Sequence, residues 1–145
     1  MGDLSKLATS TRHEVEGVLT EYALGIRLRI ARKPNPRYDA FRLERLRTVQ
    51  VQLQTGVITS EAAAKEIERI DLEATGRFVL VGWEELELGG EVVPYSAEKA
   101  IELLSDPAYH DLLDFVHTFS SRAANYRRWR LEEAVGNSPG PSPGG

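Results

Sequence analysis

Apolar residues recur along this chain with two different periods. From Val18 to Arg32 they alternate, with Ile26, Leu28 and Ile30 on one side and Arg27 and Arg29 on the other. That is the pattern of a half-buried β-hairpin over 18–32. Ala23-Leu24-Gly25 supplies the turn, and Gly25 can take positive φ without steric cost. Pro34-Asn35-Pro36 ends the second strand, because proline cannot donate to a ladder. The period then becomes helical. Tyr38, Phe41, Leu46, Val49 and Leu53 fall near one face of a helix predicted over 37–54, which Gly56 stops. Thr59 or Ser60 caps a second helix over 60–74, with Ala63, Ile67 and Ile70 inward and Gly76 interrupting it.

Phe78–Trp83 fits a short buried strand by propensity and a continued helix by length. A strand here has no partner except the hairpin, which favours the helix, and both readings stay open. An acidic Gly-Gly turn follows, and Pro94-Tyr95-Ser96 opens an amphipathic helix over 97–104. Ser96 can accept from the free amides of the first turn, where Glu98 also complements the helix dipole. Trp83, Pro94, Tyr95 and Ser96 therefore read as a packed structural corner, with no reaction centre in it. The last helix is predicted over 107–134, where Leu112, Phe115 or Val116, Phe119, Ala123 and Tyr126 form one stripe. Residues 1–14 read as a flexible polar arm, and the Gly/Pro/Ser tail over 136–145 as disordered. The expected fold is α+β and predominantly helical. An N-terminal β-hairpin precedes about four helices in a single globular domain over 15–135.

Composition narrows the chemistry. The 145 residues include no cysteine, which excludes disulfides, thiol nucleophiles and cysteine-ligated metals. No run is long and apolar enough for a membrane span, and the N-terminus lacks the apolar stretch of a secretory signal. A cytoplasmic location is the simplest expectation. Charge is uneven: residues 1–60 hold 10 Lys/Arg against 6 Asp/Glu, and residues 61–121 hold 4 against 14. Such asymmetry can guide self-association or partner choice, and it can equally be the solvated faces of helices.

Catalytic motifs are missing. No nucleophile elbow, phosphate loop or dinucleotide fingerprint occurs. His110 and His117 lie seven residues apart on one predicted helix, about 10 Å along its axis and too far for one metal ion. His110 with Asp111 and Asp114 reads as a solvated helix face. The chain is expected to be non-enzymatic, with no cofactor and no metal. Arg27, Arg29, Arg32, Lys33 and Arg37 beside Tyr38, and Arg127, Arg128 and Arg130 around Tyr126 and Trp129, interleave basic and aromatic residues as single-strand binders do. A net charge of −4 argues against that role.

Three segments carry a resemblance. The first is the run ending in Gly82-Trp83, followed by an acidic turn, Val93-Pro94-Tyr95-Ser96 and a short helix. The second is Glu16-Gly17-Val18-Leu19-Thr20-Glu21-Tyr22 leading into Ile30-Ala31-Arg32-Lys33-Pro34-Asn35-Pro36-Arg37-Tyr38. The third is Asn125-Tyr126-Arg127 followed by Gly136-Asn137-Ser138. In their order along the chain, the second before the first and the third last, they resemble the tail assembly chaperones of long-tailed bacteriophages and prophages, departing at Leu19, where a Trp is expected, and in the Pro/Gly tail. The resemblance implies a protein of the host cytoplasm, absent from the mature virion, that holds the helix-rich tape measure protein during tail assembly. The tail-tube protein and a second copy of the chain are further expected partners, and nucleic acid and membrane are not. Phe115, Phe119, Tyr126 and Trp129 are the candidate protein-binding anchors, in a groove formed or bordered by the C-terminal helix and the helix over 37–54. The alternative is a structural tail-tube or head-tail connector subunit.

Overall fold

The alternating segment folds as expected. In the computed structural model, which describes residues 1–136, β1 (Val18–Glu21) pairs antiparallel with β2 (Arg27–Ile30), and Gly25 turns at φ 80°. Leu28 and Ile30 are fully buried. The open choice between helix and strand over Phe78–Trp83 falls to both: Phe78 ends a helix and Leu80 begins a strand. β3 (Leu80–Glu84) adds to the free edge of β2, with Leu28 opposite Trp83 and Arg29 opposite Gly82. The hairpin is indeed its partner, and pairing satisfies backbone groups that the buried Val79 and Leu80 could not otherwise present to water. The sheet order is β1-β2-β3.

Two long helices form the arm between β2 and β3. They are α2 (Pro36–Gln54) and α3 (Ser60–Phe78), packed along each other. α3 runs four residues past its expected end and through Gly76. The reason is packing, not termination: a Cβ on Gly76 would lie 2.6 Å from Ile101 Cγ1 and 3.0 Å from the Ile101 amide nitrogen. Glycine is there because α4 (Ala97–Ser105) presses against α3. Between them a small ribbon, β4 (Glu87–Leu88) and β5 (Glu91–Val92), folds the acidic Gly-Gly turn.

The entry to α2 is organised by Asn35, a buried amide. Its Oδ1 accepts from the amides of Arg37 and Tyr38 at 3.0 and 3.1 Å, capping the helix. Its Nδ2 donates to the carbonyls of Arg32 and Phe78 at 2.8 and 2.9 Å. One side chain thus fastens the end of β2, the start of α2 and the end of α3.

Both ends of the described chain differ from expectation for one shared reason. The N-terminal residues are not a loose arm. A 3-10 turn at Leu4–Leu7 leads to α1 (Thr11–Glu16), capped by Ser10 and anchored by Arg32 through its ion pair with Glu14 and its amide on the Glu14 carbonyl at 2.8 Å. The helix expected over 107–134 is broken into a 3-10 turn at Pro107–Tyr109, α5 (His110–Ser120), a second 3-10 turn at Ala123–Tyr126 and α6 (Arg128–Gly136). Asn125 Nδ2 stops α5 by donating to the Phe119 carbonyl at 2.9 Å. The break frees the Tyr126 carbonyl to accept from the Ser10 amide at 2.7 Å and lets Arg127 bridge Thr9. Residues 8–10 and 126–128 hold each other, which no local signal in either segment could show. The expected disordered tail, beyond Gly136, lies outside the described residues.

The main core joins the inner face of the sheet, α4 and α5 around Leu28, Ile30, Leu80, Leu103 and Val116. A smaller cluster, Val49, Ala63 and Ile70, sits within the α2–α3 arm. Two substitutions test these junctions. Asn35→Ala removes the cap and strands two buried carbonyls, and should cost about 2–4 kcal/mol in urea unfolding. Gly76→Ala should cost about 1–3 kcal/mol, because the methyl meets Ile101 backbone as well as a movable side chain.

Candidate protein-binding surfaces

The corner that the sequence singles out is structural in every contact. Trp83 Nε1 donates to the Val93 carbonyl at 2.8 Å, and its ring meets Tyr95 edge-on at 4.8 Å. The Tyr95 hydroxyl donates to the carbonyls of Leu80 at 2.8 Å and Gly76 at 3.1 Å. Burial pushes this phenol up to about 12, so it remains a donor at neutral pH. Ser96 accepts from the Lys99 amide at 3.0 Å, the expected cap, while Pro94 is exposed at the bend.

The four candidate anchors separate. Phe115 and Phe119 stack with centroids 6.1 Å apart, half-buried, and Phe115 also meets Tyr22 at 4.9 Å. Tyr126 is a correction: it is fully buried, and its hydroxyl donates to the Ile30 carbonyl at 3.0 Å. Burial raises its pKa, and it is a core residue that offers no surface to a partner. Trp129 is 52% exposed on α6. The groove expected between α2 and the C-terminal helices also takes another form. α2 lies along α3, whereas α5 packs on α4 and β2.

Exposed apolar surface concentrates instead on α2 and the loop after it. Leu43, Val51 and Leu53 on α2 and Val57 beyond it are all exposed, Val57 at 67%. The small Val49, Ala63 and Ile70 cluster gathers Leu46, Ile58 and Ile67 instead and leaves these four outside it. A second concavity, about 670 Å³, opens beside β1 and is lined by Val18, Leu19, Thr20, Arg29, Phe119 and Leu131, among others.

Comparison with known proteins finds a family for most of the chain. A family model described as YdaY prophage protein matches residues 35–137, from the Asn35 cap onward. The chain belongs to the YdaY prophage protein family. No curated protein and no solved structure matches it.

Within the family-matched stretch lies most of a polar cavity of about 420 Å³ that sequence patterning did not show. Lys33 reaches into it, with Nζ 3.3 Å from Thr75 Oγ1, 3.1 Å from His117 Nδ1 and 5.2 Å from the Tyr38 ring centroid. Burial, partly opposed by Asp71, lowers the Lys33 pKa. Burial and then Lys33 lower that of His117. His117 is thus held as the neutral acceptor of a lysine, a role fixed by residues 84 positions apart. Elsewhere, Arg27 is paired with Glu84 and Arg32 with Glu14, so the basic stretch after the hairpin is partly neutralised. His110, Asp111 and Asp114 form an exposed trio, with ring-to-carboxylate distances of 3.5 and 3.4 Å.

The His117 arrangement sets a pH dependence. Its folded pKa is below the unfolded value of about 6.5, so the unfolded chain binds the proton more readily. Stability should hold above about pH 6.5 and fall as pH drops through the folded pKa. Urea unfolding at a series of pH values should show that slope, and His117→Gln should flatten it.

Proposed function

We propose that this YdaY-family prophage protein is a non-enzymatic tail assembly chaperone that binds the tape measure protein and keeps it soluble in the host cytoplasm until the tail tube polymerises. The observation that carries this reading is the exposed apolar set on the α2–α3 arm, Leu43, Val51, Leu53 and Val57. A helix-rich client presents amphipathic helices whose apolar faces need such a surface before assembly covers them. The prophage family and the ordered likeness to tail assembly chaperones agree with it. The client contact accordingly shifts from the expected aromatic stripe to this arm, with exposed Trp129 as a separate anchor. The tail-tube protein is a second partner on this reading, while nucleic acid and membrane are not. Among the described residues, no helix is long and apolar enough to cross a bilayer.

Co-expression with the neighbouring tape measure protein, followed by size-exclusion chromatography, tests the reading. The client should become soluble and co-elute. Val51→Asp combined with Val57→Asp should weaken capture at least about tenfold with an unchanged thermal melt, and Trp129→Ala should weaken it less. Unchanged capture by the folded double variant overturns the arm as the client surface. A client that stays insoluble, with this chain retained in purified particles as a ring, replaces the chaperone by a structural subunit.

A further inference from the structure

β1 is an edge strand, and the hydrogen-bond pattern fixes which of its backbone groups are free. The Ala31 amide donates to the Val79 carbonyl, so odd-numbered residues on the β2 side of the sheet face β3. Even-numbered residues therefore face β1, in agreement with the Tyr22 amide donating to the Ile26 carbonyl at 2.9 Å. With Thr20 opposite Leu28 and Val18 opposite Ile30, those pairs exchange the ladder bonds. The N–H and C=O groups of Leu19 and Glu21 then point away from β2. Among the described strands, none pairs with that edge.

Those of Leu19 open on the 670 Å³ cleft beside β1, and Glu21 continues the same edge at the exposed end of the strand. Its lining comes from both faces of the strand, since Val18 and Thr20 lie on the core side and Leu19 and Arg29 on the outer side. Phe119 and Leu131 supply apolar wall, and α6 contributes Arg130. No residue lining the cleft carries a carboxylate; the Glu21 side chain stands beyond it at the end of β1. Arg29 Nη1 reaches only the Gly17 carbonyl at 3.4 Å, and Arg130 Nη1 the Ala124 carbonyl at 3.3 Å and Asn125 Oδ1 at 3.1 Å. Among the described residues neither arginine has an ion-pair partner, although the chain as a whole is acidic at −4.

We propose that the open edge of β1 is a strand-addition site for an extended, carboxylate-bearing segment of another polypeptide. The segment pairs its backbone with Leu19 and Glu21 and sets its carboxylates against Arg29 and Arg130. An edge that offers main-chain donors and acceptors binds any extended chain; side-chain pockets and charge select which. A second copy is the poorer occupant, because it brings the same two arginines to the contact. The site is independent of the client surface on the α2–α3 arm.

Fluorescein-labelled (Val-Glu)4 is the probe, compared with (Val-Lys)4 and with (Val-Glu)4 methylated on every backbone nitrogen. (Val-Glu)4 should bind saturably, and both comparison peptides at least about tenfold more weakly. Amide exchange of Leu19 and Glu21 should slow at least about tenfold on saturation, with Thr20 unchanged. Arg29→Glu should weaken (Val-Glu)4 and improve (Val-Lys)4. Leu19→Pro removes an outward donor without touching the β1–β2 ladder and should also weaken binding. The proposal is overturned by no saturable binding up to about 1 mM. It also fails if the methylated or lysine peptide binds equally, or if Leu19 and Glu21 are already protected before peptide is added, whether by a second copy or by the chain itself.

Discussion

A single buried amide sets the angle between the sheet and the helical arm. Asn35 spends both its acceptor capacity and both its N–H donors on four backbone groups from three elements. An unpaired buried polar atom costs about as much as a hydrogen bond gains, so the arrangement holds as a unit or fails as a unit. Its position between two prolines matters. Pro34 and Pro36 have no amide to satisfy at this crossing, and Pro36 starts α2 at the one helical position that suits it. Because Phe78 O is one of the four groups, the far end of α3 is fixed by the same side chain that starts α2. The α2–α3 arm is therefore anchored at its base and left to its own small core at the tip. That is why apolar side chains remain exposed there.

The sheet is closed over by phenols that arrive from distant parts of the chain. Ile30 and Leu80 face each other across β2 and β3, and each carbonyl accepts from a tyrosine hydroxyl, Tyr126 in one case and Tyr95 in the other. The phenols are apolar enough to fill the core and polar enough to meet strand carbonyls in it. Tyr126 can reach Ile30 only because the chain breaks after Ser120. The same break frees the Tyr126 carbonyl for Ser10. One turn thus places a core residue and docks the N-terminal segment together.

Local signals account for what was legible in the sequence. The alternation of Ile26, Leu28 and Ile30, the Ser96 cap and the helical spacing of Tyr38 and Val49 each depend on neighbours within a few residues, and each is where the pattern put it. The errors share a different origin. Gly76 looked like a stop because its reason, Ile101, is 25 positions away on another helix. Phe78–Trp83 stayed open between strand and helix because the partner strand lies some fifty residues earlier. Tyr126 fitted a helical stripe, yet its hydroxyl partner is 96 positions distant. The candidate surfaces were less legible still. A stripe of aromatics says that a face is apolar, not whether tertiary contacts cover it, and the free edge of β1 exists only once β3 has chosen the other side of β2.

Charge gives the two exposed surfaces different selectivities. The acidic stretch over 61–121 repels acidic partners across much of the molecule, and its own arginines are consumed locally, Arg69 by Glu66 and Arg77 by Glu73 and Glu98. Arg42 and Arg45 on α2 are likewise bound to Asp71 and Glu73 of α3, so the arm offers apolar area with little net attraction for either sign. The β1 cleft is the reverse, a small basic concavity in an acidic chain. Like-charge repulsion elsewhere then sharpens the cleft's preference, because an acidic segment loses on every other face what it gains there. A neutral amphipathic helix feels no such penalty and is free to use the arm. On the proposed reading, two surfaces of opposite character on one small chain are open to different segments at once, because they share no contacts.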